Sequence, residues 1–255
     1  MSYSHSAQNP VANVLTGTVC LIIHGKSSFG LIPPQDDNLL VNLAAALEKE
    51  GISVFRFDFA AHGESEGSSR LGDFYREADD IRAIVQHFSG ENRAVSAILG
   101  HSKGASLVLL YASKYQDIGI IVNVSGRYDL LRGIAVGLGA DFMEKNKDGY
   151  IDIKDKKGRV QVRVTEEVLM NILRVDMREA CRKIGKDCRV LMVYGSADKM
   201  NPLEDALGFA KNIRNHQLQI IEGADHVYTS HQTELASVVV KFIMSGLKQD
   251  KVARL

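Results

Sequence analysis

Short β-rich runs, most of them almost continuously apolar, alternate along the chain with longer segments whose apolar residues recur at helical spacing. Such runs are typical of strands in a parallel sheet that is buried on both faces. They lie at residues 18–24, 52–58, 95–99, 118–124, 189–194 and 217–221. The helical patterns lie at residues 38–50, 73–88, 102–115, 203–213 and 231–248. This alternation predicts βαβ units with right-handed crossovers, and therefore an α/β fold with a doubly wound, mostly parallel sheet.

One segment interrupts this rhythm, because the stretch between Val124 and Arg189 is longer than an ordinary crossover. Within it, residues 150–154 and 159–164 alternate with period two around a Gly-containing turn, which predicts a β-hairpin. A helical pattern follows at 166–174. We expect residues 126–185 to form a small lid, or cap, over the C-terminal edge of the sheet, where open α/β sheets bind ligands. A peripheral decoration without a part in catalysis is the alternative.

Length and composition fit one domain over residues 1–255. Basic and acidic residues balance at 31 each, so charge predicts neither a nucleic acid nor an anionic membrane as a partner. No apolar run approaches the roughly 20 residues of a membrane span, and no secretory signal is visible. We expect Cys20, Cys181 and Cys188 to be reduced thiols in a cytoplasmic protein. No ligand spacing predicts a metal, and no cofactor is expected.

Residues 100–104 read Gly-His-Ser-Lys-Gly and carry the strongest functional signal. They stand between an apolar run and a helical pattern, which is the strand, G-x-S-x-G, helix context of a nucleophile elbow. Side chains at positions 100 and 104 would collide with the neighbouring strand and helix, so glycine is expected at both. The turn would lift the Ser102 hydroxyl above the sheet and aim the first helical N–H groups at its target. A Gly-rich turn with a capping serine is the alternative.

A nucleophilic serine needs a base, and the base needs an orienting carboxylate. On such a sheet the acid and then the histidine follow the serine, each in a loop after a later strand. Asp198 follows the apolar run that ends at Tyr194, and His226 follows the run that ends at Ile221. Asp225 is the rival acid, although adjacent residues rarely orient each other's side chains. His231 is the rival base, and it lies in the predicted last helix.

Stabilisation of an oxyanion needs a second donor beside the Lys103 N–H, from the loop after the first strand. That strand runs into His24-Gly25-Lys26. Gly25 lets the backbone approach the substrate, and the Lys26 N–H is the expected donor. His24 is expected to brace this loop. We place His24, Gly25 and His101 at the predicted substrate-binding site.

These motifs resemble those of the α/β-hydrolase superfamily. The chain looks closest to its small-lid serine esterases, the bacterial cinnamoyl (feruloyl) esterases and plant relatives with a serine aminopeptidase (S33-type) or monoacylglycerol-lipase-like domain. The similarity covers about residues 18–247 and rests on five motifs, with 163–167 also similar to the plant branch. They lie at residues 24–25, 56–67, 100–104, 195–198 and 222–226. The resemblance implies that Ser102 is the nucleophile, Asp198 the acid and His226 the base, with the Lys26 and Lys103 amides as the oxyanion hole.

Two departures from the family pattern bear on these expectations. Relatives usually have two further antiparallel strands before the strand at 18–24, so we expect reduced N-terminal edge strands. Lys26 stands where relatives commonly carry an aromatic or small residue. Ammonium groups of Lys26 and Lys103 beside the oxyanion hole would favour an anionic substrate or depress each other's pKa. The alternative is that both side chains point to solvent.

The expected function is that of a serine hydrolase acting on a small or medium carboxylic ester through an acyl-enzyme intermediate. The expected partner is the small-molecule ester itself, and a homodimer is left open. A lyase or acyltransferase of specialised metabolism could use the same triad. A non-catalytic receptor that binds a small ligand is the third alternative.

Overall fold

The computed structural model describes residues 18–25, 36–57, 59, 65–66, 72–91, 93–154 and 157–252. The strands in these residues are β1 (Thr18–Gly25), β2 (Ser53–Phe57), β3 (Ala94–Ser102), β4 (Ile120–Val124), β5 (Tyr150–Lys154), β6 (Val160–Thr165), β7 (Arg189–Gly195) and β8 (His216–Ile221). The α-helices are α1 (Asp36–Lys49), α2 (Phe74–Gly90), α3 (Lys103–Tyr115), α4 (Leu130–Leu138), α5 (Phe142–Lys145), α6 (Glu166–Leu173), α7 (Met177–Lys183), α8 (Leu203–Ala210) and α9 (Gln232–Val252).

Six of these strands form a parallel sheet in the order β2-β1-β3-β4-β7-β8. Its apolar side chains alternate between two faces. Val19, Leu21 and Ile23 of β1 belong to a core shared with α2, α3, α7 and α8. Cys20 and Ile22 belong to a second core, shared with α1 and α9. Helices therefore cover both faces, and the predicted doubly wound α/β sheet is confirmed.

The predicted elements differ from the observed ones mainly at their ends. The helix predicted at 102–115 begins at Lys103, because Ser102 is the last residue of β3. The helix predicted at 203–213 ends at Ala210. Residues 1–17, where we expected reduced edge strands, lie outside the described residues, as do Lys26 and Asp58. No helix in the described part of the chain has the length and apolarity needed to cross a bilayer.

The long segment between β4 and β7 forms α4, α5, an antiparallel hairpin of β5 and β6, α6 and α7. Sequence patterns predicted the hairpin and α6 but missed α4, α5 and α7. Met177, Ala180 and Cys181 of α7 are buried in the same core as α3, so this helix packs as an ordinary crossover helix does. Helix α6 meets the start of α2, where an added Cβ at Gly72 would lie 2.9 Å from the Val168 carbonyl oxygen.

Candidate active site

The turn from β3 into α3 places Ser102 in a backbone conformation that few residues adopt. Its φ is 57° and its ψ is −119°, in the positive-φ half of conformational space, where a residue with a side chain is strained. The turn is also very tight. An added Cβ at Gly100 would lie 2.2 Å from the carbonyl oxygen of Gly104, which is backbone and cannot move aside. The collision expected at position 100 is therefore confirmed, and the turn has the form of a nucleophile elbow.

The structure brings Ser102, His226 and Asp198 into one hydrogen-bonded chain. Nε2 of His226 lies 3.0 Å from the Ser102 Oγ, and its Nδ1 lies 2.8 Å from Oδ2 of Asp198. All three residues are buried. Because a carboxylate only accepts, Nδ1 of His226 carries the proton that is shared with Asp198. Nε2 of the neutral ring is then free to accept the Ser102 hydroxyl proton.

The loops that carry Asp198 and His226 contact each other directly, although 28 positions separate the two residues. They follow the paired strands β7 and β8. The Ala197 N–H donates to the Ala224 carbonyl oxygen at 3.0 Å. An added Cβ at Gly195 would lie 2.2 Å from that same oxygen, so only glycine permits this approach. The Asp198 and His226 loops are therefore held against each other by backbone contacts.

Further hydrogen bonds hold the Asp198 carboxylate. The backbone N–H groups of Met200 and Asn201 donate to its Oδ1 at 2.8 and 2.9 Å. Burial alone would raise the pKa of Asp198, but the hydrogen bond and charge of His226, together with these two amides, hold that pKa below its ordinary value. The group is therefore an ionised carboxylate at neutral pH. Arg127 supports the same loop, since its Nη2 donates to the Met200 carbonyl oxygen at 2.8 Å.

Sequence reasoning missed a second set of residues beside the site. Asn201 donates through Nδ2 to the Ser125 carbonyl oxygen at 2.6 Å. Ser125 follows β4 with a φ of 51°, and its Oγ lies 2.9 Å from the hydroxyl of Tyr228. Tyr228, two residues after His226, also has a positive φ and donates to the Val193 carbonyl oxygen. Of these residues, Ser125 could have been found from the sequence, because it is a polar residue that directly follows an apolar strand.

The rival residues have other contacts. The Asp225 carboxylate accepts hydrogen bonds from the backbone N–H and the hydroxyl of Thr229, so it stabilises a turn in its own loop. His231 immediately precedes α9, and its N–H donates to the Tyr228 carbonyl oxygen. The structure therefore pairs His226 with Asp198, not with Asp225.

The Lys103 side chain forms an ion pair. This differs from both expectations from the sequence, an ammonium beside the oxyanion hole and a side chain in solvent. Its Nζ lies 2.5 Å from the carboxylate of Glu77 on α2 and 5.4 Å from the ring centroid of Phe74. The Lys103 and Glu77 side chains are 12% and 9% exposed. The ammonium neither points to solvent nor presents an uncompensated charge to a substrate, because a buried carboxylate neutralises it. The Lys103 N–H begins α3, as the predicted oxyanion donor must.

For the other predicted substrate-binding residues, the structure describes the backbone of His24 and Gly25 and the side chain of His101. His24 and Gly25 end β1 in register with His101 and Ser102, which puts their backbone beside the elbow. The His24 side chain lies outside the described residues, as does the whole of Lys26. His101 is 1% exposed, and its Nε2 lies 2.8 Å from the His226 carbonyl oxygen. Such burial does not fit the predicted contact between His101 and a substrate.

Possible metal ligands and the three cysteines are the other candidates for chemistry in this chain. Among the described residues, no group of three His, Cys, Asp or Glu side chains is arranged to hold a metal ion. Cys20, Cys181 and Cys188 are buried and form no disulfide. Burial raises the pKa of each of these thiols to about 12.

Comparisons with known proteins agree with this architecture. The family model "Serine aminopeptidase, S33" matches residues 35–129. Protein phosphatase methylesterase 1 of Candida albicans is 32% identical over 77 residues, which are 29% of this chain and only 21% of that protein's length.

Solved structures match over most of the chain. Est1E from Butyrivibrio proteoclasticus, with ferulic acid bound, has a TM-score of 0.74 at 24% identity, over 90% of this chain and 89% of that one. The α/β hydrolase GrgF from Penicillium sp. has a TM-score of 0.67 at 18% identity, over 91% and 90% of the two chains. The strand order, the elbow and these similarities together show that the chain has the α/β-hydrolase fold.

Proposed function

We propose that this protein is a serine esterase that hydrolyses a small or medium carboxylic ester, with Ser102 as the nucleophile. The observation that carries the proposal is the buried chain of hydrogen bonds from Ser102 through His226 to Asp198, at 3.0 and 2.8 Å. These distances are those at which a base can take the serine proton. The Ser102 backbone supports the same role, because the elbow holds this side chain at the start of a helix.

In the first half of the reaction, the Ser102 Oγ attacks the ester carbonyl carbon while Nε2 of His226 takes its proton. Asp198 stabilises the imidazolium that forms, since its carboxylate already accepts a hydrogen bond from Nδ1. The carbonyl oxygen becomes an oxyanion, and the Lys103 N–H at the start of α3 is a donor to it. We assign the second donor to the Lys26 N–H, which lies outside the described residues.

The tetrahedral intermediate then collapses, and its C–O bond to the alcohol breaks. His226 returns the proton to the leaving alcohol, which leaves the acyl group on Ser102. In the second half, His226 takes a proton from water, and the resulting hydroxide attacks the acyl carbon. The proton then returns to Ser102 as the free carboxylic acid leaves.

Residues 126–185, apart from the crossover helix α7, are proposed to form the lid that shapes the pocket for the acyl or alcohol group. Two anchor points at the C-terminal side of the sheet support this. Asp205 at the start of α8 accepts hydrogen bonds from the N–H groups of Tyr128 and Asp129, just before α4. Helix α6 meets Gly72 at the start of α2. The ferulic acid in the Est1E structure and the methylesterase name of the curated relative support an ester as substrate.

The test is intact-mass labelling with a fluorophosphonate probe, which phosphonylates an activated serine. We expect a single adduct on the wild type and none on Ser102→Ala. Asp225→Asn and His231→Ala should keep the adduct and hydrolyse a p-nitrophenyl ester within a few-fold of the wild-type rate. A folded wild type without an adduct would overturn the proposal.

Hydrolysis and acyl transfer differ in the acceptor of the acyl group. The same p-nitrophenyl ester assay, run with added alcohol, separates them through the ratio of acid to transesterified product. We expect acid as the main product. Predominant transfer to the alcohol would instead identify an acyltransferase, and ligand binding with negligible turnover would identify a receptor.

A further inference from the structure

His101 lies between Gly100 and Ser102 at the end of β3, and it contacts the proposed base rather than the space above it. Its Nε2 lies 2.8 Å from the His226 carbonyl oxygen. The two imidazole rings are 5.0 Å apart between centroids, with an angle of 43° between their planes. His101 is 1% exposed, so this contact is shielded from water. The hydrogen bond joins two residues that are 125 positions apart.

The chemistry of this contact defines the direction of the hydrogen bond. A carbonyl oxygen can only accept, so Nε2 of His101 carries a hydrogen and donates it. The bond therefore acts on the main chain of His226, while Ser102 and Asp198 contact its ring. His226 is held at its backbone by the residue just before the nucleophile, and at its ring by the nucleophile itself.

Two consecutive residues of β3 can reach the same partner only because of the elbow. Along a regular strand, successive side chains point to opposite faces of the sheet. Ser102 has a φ of 57°, which ends this alternation and allows its side chain and that of His101 to meet His226 together.

We propose that His101 is a positioning residue of the active site, which fixes the main chain of His226 so that its Nε2 stays within reach of the Ser102 hydroxyl. The inference rests on the proposed function. It assigns to His101 an effect on the rate of proton transfer and not on the binding of substrate, because its buried ring is hydrogen-bonded to backbone.

The test compares His101→Leu, which has similar bulk and no donor, with His101→Gln, whose side-chain amide can donate an N–H at a similar distance. Steady-state kinetics on a p-nitrophenyl ester and the rate of fluorophosphonate labelling are the measurements. We expect His101→Leu to lose roughly 10- to 100-fold in kcat, since small misplacements of catalytic groups have effects of this size. Its KM should stay within about two-fold, and His101→Gln should recover most of the lost kcat.

Three outcomes separate this inference from the proposed function. An unlabelled, folded wild type overturns the function and the inference with it. A labelled wild type together with His101→Leu at the wild-type rate overturns the inference alone. A rise in the KM of His101→Leu with an unchanged kcat also overturns the inference alone, because it indicates that His101 contacts the substrate. If circular dichroism shows His101→Leu to be unfolded, His101→Asn takes its place, because its shorter amide cannot reach the carbonyl, and it should show the same loss.

Discussion

The ammonium of Lys103 and the carboxylate of Glu77 form an ion pair between the first turn of α3 and the first turns of α2, at 2.5 Å. Both side chains are largely removed from water, and Phe74 lies beside the ammonium. The second oxygen of Glu77, Oε2, is buried without a hydrogen-bond partner among the described residues. The Lys103 N–H is also the proposed oxyanion donor. The ion pair therefore connects α2 to the start of α3, where that proposed donor lies.

Glu77→Gln should therefore lower the free energy of unfolding by about 3–5 kcal/mol, because it leaves the Lys103 ammonium buried without a counter-charge. The double variant Glu77→Leu with Lys103→Met should lose less than Glu77→Gln alone, since no charge remains. Urea unfolding followed by circular dichroism measures both.

A matched control exists between the same two helices. Asp79 of α2 pairs with Lys114 of α3, and these side chains are 52% and 41% exposed. Asp79→Asn should change the free energy of unfolding by no more than about 1 kcal/mol, because an exposed pair is screened by water. If Glu77→Gln and Asp79→Asn lowered the free energy of unfolding equally, this would show that burial of the Glu77–Lys103 pair does not increase its contribution to stability.

Glycine-to-alanine substitutions should separate the close approaches at the site from ordinary positions. Gly100→Ala and Gly195→Ala each place a Cβ 2.2 Å from a backbone oxygen. We expect either variant to be unfolded, or to melt many degrees below the wild type and lose fluorophosphonate labelling. Gly90, the last residue of α2, is the control, because nothing lies within 4 Å of an added Cβ there. Gly90→Ala should match the wild type or be more stable by up to about 1 kcal/mol. A stable, active Gly195→Ala would contradict the described contact with Ala224.

Asp198 should contribute to both catalysis and acid stability. Asp198→Asn should lower kcat by several orders of magnitude, on the order of 10⁴-fold, because the ring of His226 loses its orienting carboxylate.

The folded pKa of Asp198 is lowered, so its contribution to stability is fully present above the unfolded pKa of about 3.9 and is lost as the pH falls through the folded value. The difference in unfolding free energy between wild type and Asp198→Asn should therefore shrink as the pH falls below about pH 4. A difference that does not change with pH would contradict the lowered pKa.

The three cysteines should be inert in the folded protein. Burial raises the pKa of Cys20, Cys181 and Cys188 to about 12, so few thiolates form at pH 8. Titration with 5,5′-dithiobis(2-nitrobenzoic acid) should detect no fast-reacting thiol in the native state and three in guanidinium chloride. A rapidly reacting native thiol would show that one of these sites opens to solvent.

Much of the fold was predictable because its signals are local. Most strands of the parallel sheet are apolar along their length, and each is followed by a helical pattern or a turn. The elbow could be recognised from five consecutive residues between a strand and a helix. Asp198 and His226 could be chosen because each follows a strand of the same sheet, and parallel strands bring such loops to one edge.

Other features depend on contacts between residues that are far apart in sequence. Helix α7 was missed because its seven residues are too short to show a helical period. The sequence suggested a substrate contact for His101 and a free ammonium for Lys103. In the folded protein, His101 instead contacts His226, 125 positions away, and Lys103 contacts Glu77, 26 positions away.

The strands of the main sheet, most of the helices that cover it, and the type of residue at each proposed catalytic position were thus determined by the sequence alone, because burial pattern and turn chemistry act over a few neighbours. Which buried polar groups meet was decided only by the tertiary structure. A buried histidine or lysine must find a hydrogen-bond partner or counter-charge, and the packed sheet edge and the α2–α3 interface define which one it finds.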